Sequence, residues 1–471
     1  MNDGAYHIGM VGLGTMGRNL LLNMADRGYA VAGYDKNAAS VGALLQESGS
    51  RAIGATSQLA EFVQMLRSPR AVMMLVPAGP VVDSVIGDLL PHLRRGDLLI
   101  DGGNSFFKDT DLRGQMLVGH GIHFMGVGVS GGEHGARHGP SLMPGGPPEA
   151  YERVRPLFEA VAASVGGDPC VAYMGPGSAG HYVKMVHNGI EYGLMQLIAE
   201  AYDLMKRGLG MGEDDLHEVF ARWNTGELAG YLIEITADIF LKVDDRTGKR
   251  LVNVILDAAK QKGTGMWTSQ NAMDLHVPLP TTDMAVAMRD LSSLEAERTA
   301  MSRRLAGPVP TVHDDRGSFT TTLGSALYAS MLLAYAQGMA LLSRASIAYG
   351  YGVSLEAVAR IWRGGCIIRS ASLEKIRAAY LARPDLATLL LDPSLGSEVA
   401  DRSGALRAIV STGAACGIPV PAFAASLAYF DGYRSAWLPA NLIQAQRDYF
   451  GAHTYERIDE KGVFHTEWSR E

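Results

Sequence analysis

One short stretch constrains this chain more than any other. Residues 7–14 (HIGMVGLG) form an apolar run ending in glycine, Gly12, Gly14 and Gly17 follow as Gly-x-Gly-x-x-Gly, and residues 16–28 take up a helical pattern through Leu20, Leu21, Met24 and Ala25. Strand, turn and helix therefore follow in that order. The first glycine permits a tight turn, the second lets backbone approach a pyrophosphate, and the third lets helix and strand pack closely. The helix N-terminus then faces the phosphates with free N–H groups. The plain alternative is a glycine-rich turn followed by a surface carboxylate. Against it stands Asp35, at the end of a second strand over residues 29–35, where it can accept hydrogen bonds from an adenosine ribose. A carboxylate there would repel the 2′-phosphate of NADP, which favours NAD, with Lys36 next in sequence to offset part of the repulsion.

Further strand-like runs at residues 71–76 and 98–101 alternate with helical stretches up to about residue 178. Such a βαβ series implies buried parallel strands. From about His181 the β-branched runs give way to long Ala/Leu/Met-rich stretches, so the second half is expected to be almost entirely helical, with the boundary near Gly175-Pro176-Gly177. The expected architecture is an α/β Rossmann domain over residues 1–178, a large all-α domain over 179–436 and a C-terminal tail over 437–471. Within the helical half, residues 182–197 resemble 328–343 and residues 216–226 resemble 355–365, each of the latter pair running past a tryptophan, Trp223 or Trp362. Shared helical composition or a duplicated helical unit would both produce this echo.

At 471 residues the chain exceeds one ordinary core, and 47% hydrophobic with 19% charged residues describes a globular protein. Cys170, Cys366 and Cys416 are odd in number and widely spaced, without CxxC spacing or a Cys/His cluster, so neither disulfides nor structural zinc are expected. The N-terminus lacks the marks of a signal peptide and no 18-residue apolar run follows, which points to a cytoplasmic protein that is not membrane-bound. The net charge of −7 argues against a nucleic-acid partner. An anionic substrate would then need a local cationic cluster, which suffices because charges more than about 10 Å away are largely screened.

The segment from Tyr182 to Tyr192 (YVKMVHNGIEY) carries the chemistry. At 3.6 residues per turn Lys184, His187, Asn188 and Glu191 fall on one stripe, while Val183, Met185, Val186 and Ile190 make the rest apolar. A polar stripe of this kind should face water or a polar cavity. An amine, an imidazole, an amide and a carboxylate together suit proton transfer. At the echoed positions stand Ser330, Leu333, Ala334 and Gln337, so the helical unit does not itself demand these groups. Residues 126–146 (GVGVSGGEHGARHGPSLMPGG) read as a glycine-dense loop, with Ser130-Gly131-Gly132 following a strand-like run, whose N–H groups and Ser130 hydroxyl could receive a carboxylate. Asn104 sits at a strand end, where doubly wound folds bind ligands. Lys262, Arg289, Arg447 and His453 supply further cations or imidazole. No metal-ligand spacing is present, and His134 and His138 read as loop residues.

Together the phrases DGGNS, GVSGGEHGARHGPSLMPGG, YVKMVHNGIEYG, QKGTG, RDLSSLEAER and QRDYFGAHTYE, in this order, resemble the 6-phosphogluconate dehydrogenase family over essentially the whole chain. The resemblance implies oxidative decarboxylation of 6-phosphogluconate to ribulose 5-phosphate with reduction of NAD, or of NADP. It implies a homodimer whose tail threads through the partner. Cofactor contacts are implied at Gly12, Gly14, Thr15, Met16, Gly17, Asp35, Lys36, Asn37, Val76, Ala78 and Asn104. Substrate contacts are implied at Asn104, Ser130, Gly131, Gly132, Lys184, His187, Asn188, Glu191, Tyr192, Lys262, Thr264 and Arg289, with Arg447 and His453 from the other subunit. Lys184 is the expected base and Glu191 the expected acid. Asp35-Lys36-Asn37 replaces the Asn-Arg-Thr of many NADP-using members, which strengthens the NAD reading. Pro77 and Met266 stand where lysine is common, and Gly14 where alanine is. Two rivals are a non-decarboxylating β-hydroxyacid dehydrogenase, which would be shorter and lack the tail, and an inactive NAD-binding sensor or scaffold, against which the Lys184/Glu191 pair argues.

Overall fold

The computed structural model describes residues 4–468, so residues 1–3 of the expected first unit and 469–471 of the expected tail lie outside the described residues. The chain runs β1 (Ile8–Val11), α1 (Thr15–Asp26), β2 (Val31–Tyr34), α2 (Ala38–Ser48), β3 (Ile53–Thr56), α3 (Leu59–Met65), β4 (Ala71–Met74), α4 (Pro80–Leu89), β5 (Leu98–Asp101) and α5 (Phe107–Gly119). β6 (His123–Ser130), α6 (Gly132–His138), β7 (Ser141–Gly145), α7 (Pro148–Val161) and a small hairpin of β8 (Ser164–Val165) and β9 (Asp168–Pro169) follow.

The sheet order is β3-β2-β1-β4-β5-β6-β7, all parallel except the last pair. β1, β2, β4 and β5 are buried along their whole length, because helices cover both faces of a parallel sheet. The segment 126–146 is therefore not a loop. Its alternating apolar residues and glycines make β6, a short α6 and an antiparallel β7, whose ladder pairs Ser130 with Ser141 and Gly126 with Gly145.

The helical half comprises α8 (Ala179–Asp203), α9 (Glu213–Trp223), α10 (Tyr231–Leu241), α11 (Thr264–Asp274), α12 (Pro280–Ser292), α13 (Glu295–Arg304), α14 (Arg316–Ala348), α15 (Leu355–Trp362), α16 (Ser372–Ala382), α17 (Pro393–Cys416), α18 (Pro421–Tyr433) and α19 (Ala440–Gly451). Contrary to the expectation from the sequence, one helix, α14, is long and apolar enough to cross a membrane, but 89% of the qualifying stretch is buried inside the protein. Alanine, glycine and serine dilute its apolar character along the chain. They also let it lie against α8, where a Cβ on Gly338 would come 2.5 Å from the Ile190 side chain.

The sequence echo has structural counterparts. α8 and α14 are the long central helices, and α9 and α15 end at Trp223 and Trp362. α12 and α18 both start at a proline, after residues of near-identical backbone, Leu279 (φ −123°, ψ 47°) and Val420 (φ −132°, ψ 52°). Proline fits the first helical turn because no N–H is needed there. The N–H groups that do need partners find them on the long helices. Gln337 Oε1 accepts from Thr281 N at 3.1 Å, and the Glu200 carboxylate accepts from Ala422 N at 2.9 Å and Phe423 N at 3.1 Å.

Burial pushes the Glu200 carboxyl up to about 7 from its ordinary 4.5, against the opposing pull of its N–H donors. The folded protein then holds a proton that the unfolded chain has released, so stability falls as pH rises between those values, by at most about 1.4 kcal/mol per pH unit. Glu200→Gln is expected to flatten this slope in denaturation midpoints taken across pH 5 to 7.

Candidate active site

Three residues of β6 with the strand's period of two, Gly126, Gly128 and Ser130, meet three residues of α8 with the helix's period, His181, Lys184 and His187. The glycines are required by contact. A Cβ at Gly126 would lie 2.7 Å from His181 Nδ1, and one at Gly128 would lie 2.4 Å from Lys184 Cβ. At Ser130 the side chain returns, and its Oγ lies 3.1 Å from His187 Nε2.

The polar stripe faces inward, not to water. Lys184 is 6% exposed, His187 0% and Asn188 8%. Each group is satisfied by its neighbours, as buried polar groups must be. Lys184 Nζ donates to Asn188 Oδ1 at 2.7 Å and lies 3.3 Å from His187 Nδ1. Asn188 Nδ2 donates to Thr264 Oγ1 at 3.2 Å. His187 Nδ1 stands 3.0 Å from Asn188 Oδ1 and 3.7 Å from Glu191 Oε2. With Nε2 accepting from the Ser130 hydroxyl, Nδ1 carries the ring proton. Burial lowers the Lys184 amine below its usual range despite Glu191, and burial raises the Glu191 carboxyl despite Lys184. His187 is held well below its usual value by burial and by Lys184. A neutral amine, a neutral imidazole and a protonated carboxyl are the forms this pocket favours.

Around this cluster α11 and α12 close in. Gly265 abuts the Tyr192 ring, and the Arg289 guanidinium stacks 3.4 Å from the centre of that ring. Lys262 is exposed just before α11. Ile367 N–H approaches Ser130 Oγ at 3.4 Å, bringing in the turn after α15. Asn104 is exposed on the β5–α5 turn, beside Asp101, whose carboxylate accepts from Gly103 N at 2.9 Å and Ser105 Oγ at 2.6 Å. Gly131 and Gly132 form the turn into α6, with φ of 122° and 60°, and His134 and His138 lie on that helix with ring centres 4.7 Å apart. Among the described residues no group of three His, Cys, Asp or Glu side chains is disposed to hold a metal ion.

The dinucleotide turn is built from the same kind of contact. Gly12 has φ 93°, a Cβ on Gly17 would meet the Gly12 carbonyl at 1.9 Å, and Gly14 leaves the first turn of α1 without a side-chain cap. Thr15 and Met16 form that first turn. Asp35 Oδ2 accepts from Leu13 N at 2.8 Å and Oδ1 from Asn37 N at 2.8 Å, leaving lone pairs on both oxygens for ribose hydroxyls. Lys36 pairs with Asp88 at 2.8 Å, and Asn37 caps α2 by accepting from Ala39 N. Val76 packs where a Gly12 Cβ would fall, with Pro77 and Ala78 exposed after it. These groups fit a dinucleotide.

Arg447 and His453 lie apart from this cluster. Among the described residues the hydrogen bonds of 439–468 close within that segment, and it exposes large apolar side chains, Tyr449 at 63% and Phe450 at 73%.

The sequence reading missed His181, Thr110 and Ile367. His181 is fully buried, with Nε2 donating to the Asp101 carbonyl at 3.0 Å and Nδ1 meeting Thr110 Oγ1 at 2.7 Å, so it ties α8 to β5 and α5. Its signal was available, one turn before Lys184 on the same stripe and opposite the alternating glycines of GVGVS.

A parallel sheet with this turn, joined to a large helical unit that inserts a lysine and a glutamate at the sheet's carboxyl edge, defines a nicotinamide-dependent dehydrogenase of the two-domain kind. Residues 7–175 match the NAD binding domain of 6-phosphogluconate dehydrogenase, and residues 180–468 match the 6-phosphogluconate dehydrogenase C-terminal domain. The chain belongs to the 6-phosphogluconate dehydrogenase family. It is 53% identical over 464 residues to the NADP(+)-dependent, decarboxylating 6-phosphogluconate dehydrogenase of Bacillus subtilis, covering 98% of this chain and 99% of that one. It is 50% identical over 462 residues to the decarboxylating 6-phosphogluconate dehydrogenase of Escherichia coli, covering 98% of each. The 6-phosphogluconate dehydrogenase of Plasmodium falciparum, described in apo form and in complex with NADP+ and with 6-phosphogluconate, superposes with a TM-score of 0.95 at 42% identity, over 98% of this chain and 100% of that one.

His181→Leu would remove the ring's bonds to the Asp101 carbonyl and to the Thr110 hydroxyl, which would keep only its longer bond to the Phe106 carbonyl at 3.3 Å. It is expected to lower stability by about 1–3 kcal/mol, read as a lower denaturation midpoint than that of the native protein.

Proposed function

We propose that the chain oxidatively decarboxylates 6-phosphogluconate to ribulose 5-phosphate and CO2, with Lys184 as base and Glu191 as acid. The observation that carries the assignment is the buried Lys184 amine, 2.7 Å from Asn188 Oδ1, with Glu191 two turns on along α8. A bound nicotinamide supplies the hydride acceptor. The neutral Lys184 amine takes the proton of the C3 hydroxyl as that carbon is oxidised, and Asn188 and His187 hold the amine in place. The resulting β-keto acid loses its carboxylate as CO2, while the protonated Lys184 stabilises charge on the carbonyl oxygen. Glu191 then delivers a proton to C1 of the enediol. Ser130, Gly131, Gly132 and Asn104 bind the carboxylate end, His187, Tyr192 and Thr264 line the chain, and Lys262, Arg289 and Arg447 hold the phosphate, whose charge suits arginine's forked donors.

For the cofactor we infer a preference for NAD, accommodated by Gly12, Gly14, Thr15, Met16, Gly17, Val76, Ala78 and Asn104. Asp35 would sit beside the adenosine ribose, and the two residues that follow give a 2′-phosphate little help, since Lys36 is engaged by Asp88 and Asn37 is neutral. NADP is the alternative favoured by the names of the relatives from Bacillus subtilis and Plasmodium falciparum. Asp35→Ser with Asn37→Arg is expected to shift kcat/KM toward NADP, and faster turnover of the native protein with NADP at equal subsaturating cofactor would overturn the preference.

We further propose a homodimer in the cytoplasm, with units 1–178 and 179–436 forming the body and 437–471 crossing to the partner, so that Arg447 and His453 of one subunit complete the site of the other. The exposed apolar side chains of the tail support this, since patches of this kind mark interfaces. Lys184→Met and Arg447→Ala proteins, each nearly inactive, are expected to regain about a quarter of normal activity when unfolded and refolded together, because half the dimers are mixed and each of those has one intact site. No recovery in a mixture shown by mass spectrometry to contain mixed dimers would rule out shared sites.

A further inference from the structure

Only three non-glycine residues among those described have left-handed backbone, and two of them flank His453. Ala452 has φ 47° and Thr454 has φ 60°; the third is His276. Side chains disfavour this region, so such residues persist where their surroundings hold them. Both bond to Asp448, Thr454 to its fully buried carboxylate and Ala452 to its backbone carbonyl, on the last turns of α19. Its Oδ1 accepts from Thr454 N at 2.9 Å and from His465 Nδ1 at 2.8 Å. Its Oδ2 accepts from Thr466 N at 3.0 Å and from Trp468 Nε1 at 2.8 Å. The Asp448 carbonyl accepts from Ala452 N at 2.9 Å, and the strand-like pair Tyr455 and Phe464 closes the fold behind it. Asp448 is thus the centre around which residues 444–468 wrap.

A tail that needed only to be covered by another surface would have no use for left-handed alanine and threonine, since glycine takes that backbone without steric cost. The strain is placed on either side of one exposed imidazole, with the carboxylate on the helix directly after Arg447. We infer that Asp448 is a positioning residue for the reaction, its carboxylate fixing the strained turn that presents His453 to the substrate held by the neighbouring subunit. This rests on the shared-site reading proposed above.

The test uses the full-length protein with 6-phosphogluconate. Asp448→Asn keeps the side chain's shape but turns a donor toward groups that are themselves donors. It is expected to raise the KM for 6-phosphogluconate by about 10-fold, the size of one lost charge-assisted hydrogen bond, with the KM for the cofactor unchanged. His453→Ala is expected to raise the same KM, and the double variant to be no worse than His453→Ala alone, because the two act as one unit. Ala452→Gly with Thr454→Gly, added to Asp448→Asn, is expected to recover most of the loss, since glycine no longer needs the carboxylate to hold its backbone. If Asp448→Asn alone fails to assemble, the same glycine pair decides: recovery of assembly and KM supports the inference and its absence overturns it. Additive effects of Asp448→Asn and His453→Ala, or a native KM in Asp448→Asn beside an impaired His453→Ala, overturn the positioning role alone. A native KM in His453→Ala removes the shared-site reading and this inference with it.

Discussion

The contact of β6 with α8 is the constraint on which the rest of the site depends. A strand repeats every two residues and a helix every three to four, and here Gly126, Gly128 and Ser130 are matched to His181, Lys184 and His187. Removing side chains from the strand makes room for polar side chains on the helix. Without the two glycines α8 would stand off from the sheet by the width of a methyl group, and Lys184 would no longer reach the crevice at the carboxyl edge of the strands, where doubly wound sheets bind ligands. His181 fixes the same contact from the helix side through the Asp101 carbonyl and Thr110. The turn that begins at Asp101 and carries Asn104 is thereby tied to the helix that carries Lys184 and Glu191.

Tight burial also sets the protonation states. Lys184 and Glu191 are shifted in opposite senses by the same cause, loss of water around their charged forms. Each would draw the other back toward the charged state, and burial outweighs that attraction in both. Both shifts run toward the uncharged forms of an amine and a carboxyl on one helix, the direction that general acid–base chemistry exploits. The chain's net charge of −7 has no bearing on this, because the relevant groups lie within a few ångströms of one another.

The parts legible in the sequence were those carried by short-range pattern. Gly12, Gly14 and Gly17 between an apolar run and a helix gave the turn, Asp35 gave the carboxylate that closes on it at Leu13 N, and the spacing of Lys184, His187, Asn188 and Glu191 gave the stripe. What stayed hidden depended on pairing between distant segments. Glycine density made 126–146 read as a loop, when two of those glycines are absences demanded by helix side chains some 55 positions away. The stripe alone left water and a polar cavity both open, because its partners Ser130 and Thr264 come from elsewhere in the chain. Ile367 gave no signal, since what it contributes is a backbone N–H, and every residue but proline has one. The length of α14 was masked by its small residues, the same residues that allow it to approach α8.

The two long helices that echo each other in sequence carry different polar groups at matching positions. α8 and α14 cross at small residues, with Gly338 against Ile190 and Gly193 against Ala334. Positions 191 and 337 correspond, yet Glu191 lies beside His187 at the crevice, whereas Gln337 is fully buried and spends both ends of its amide on Thr281, accepting from its N–H and donating to its hydroxyl. Thr281 in turn meets Ser426 at 2.9 Å, so α14 uses its polar position to lock α12 to α18. α12 carries Arg289, which stacks on Tyr192 beside Glu191. The helix without the charged set therefore still bears on this cluster, by fixing the start of the helix that brings the arginine. The two helices differ in this way because each must bury its polar positions against something. α8 meets the sheet's glycines and holds ionisable groups beside them, while α14 at Gln337 meets the start of α12 and holds an amide, which needs hydrogen bonds but carries no charge to desolvate.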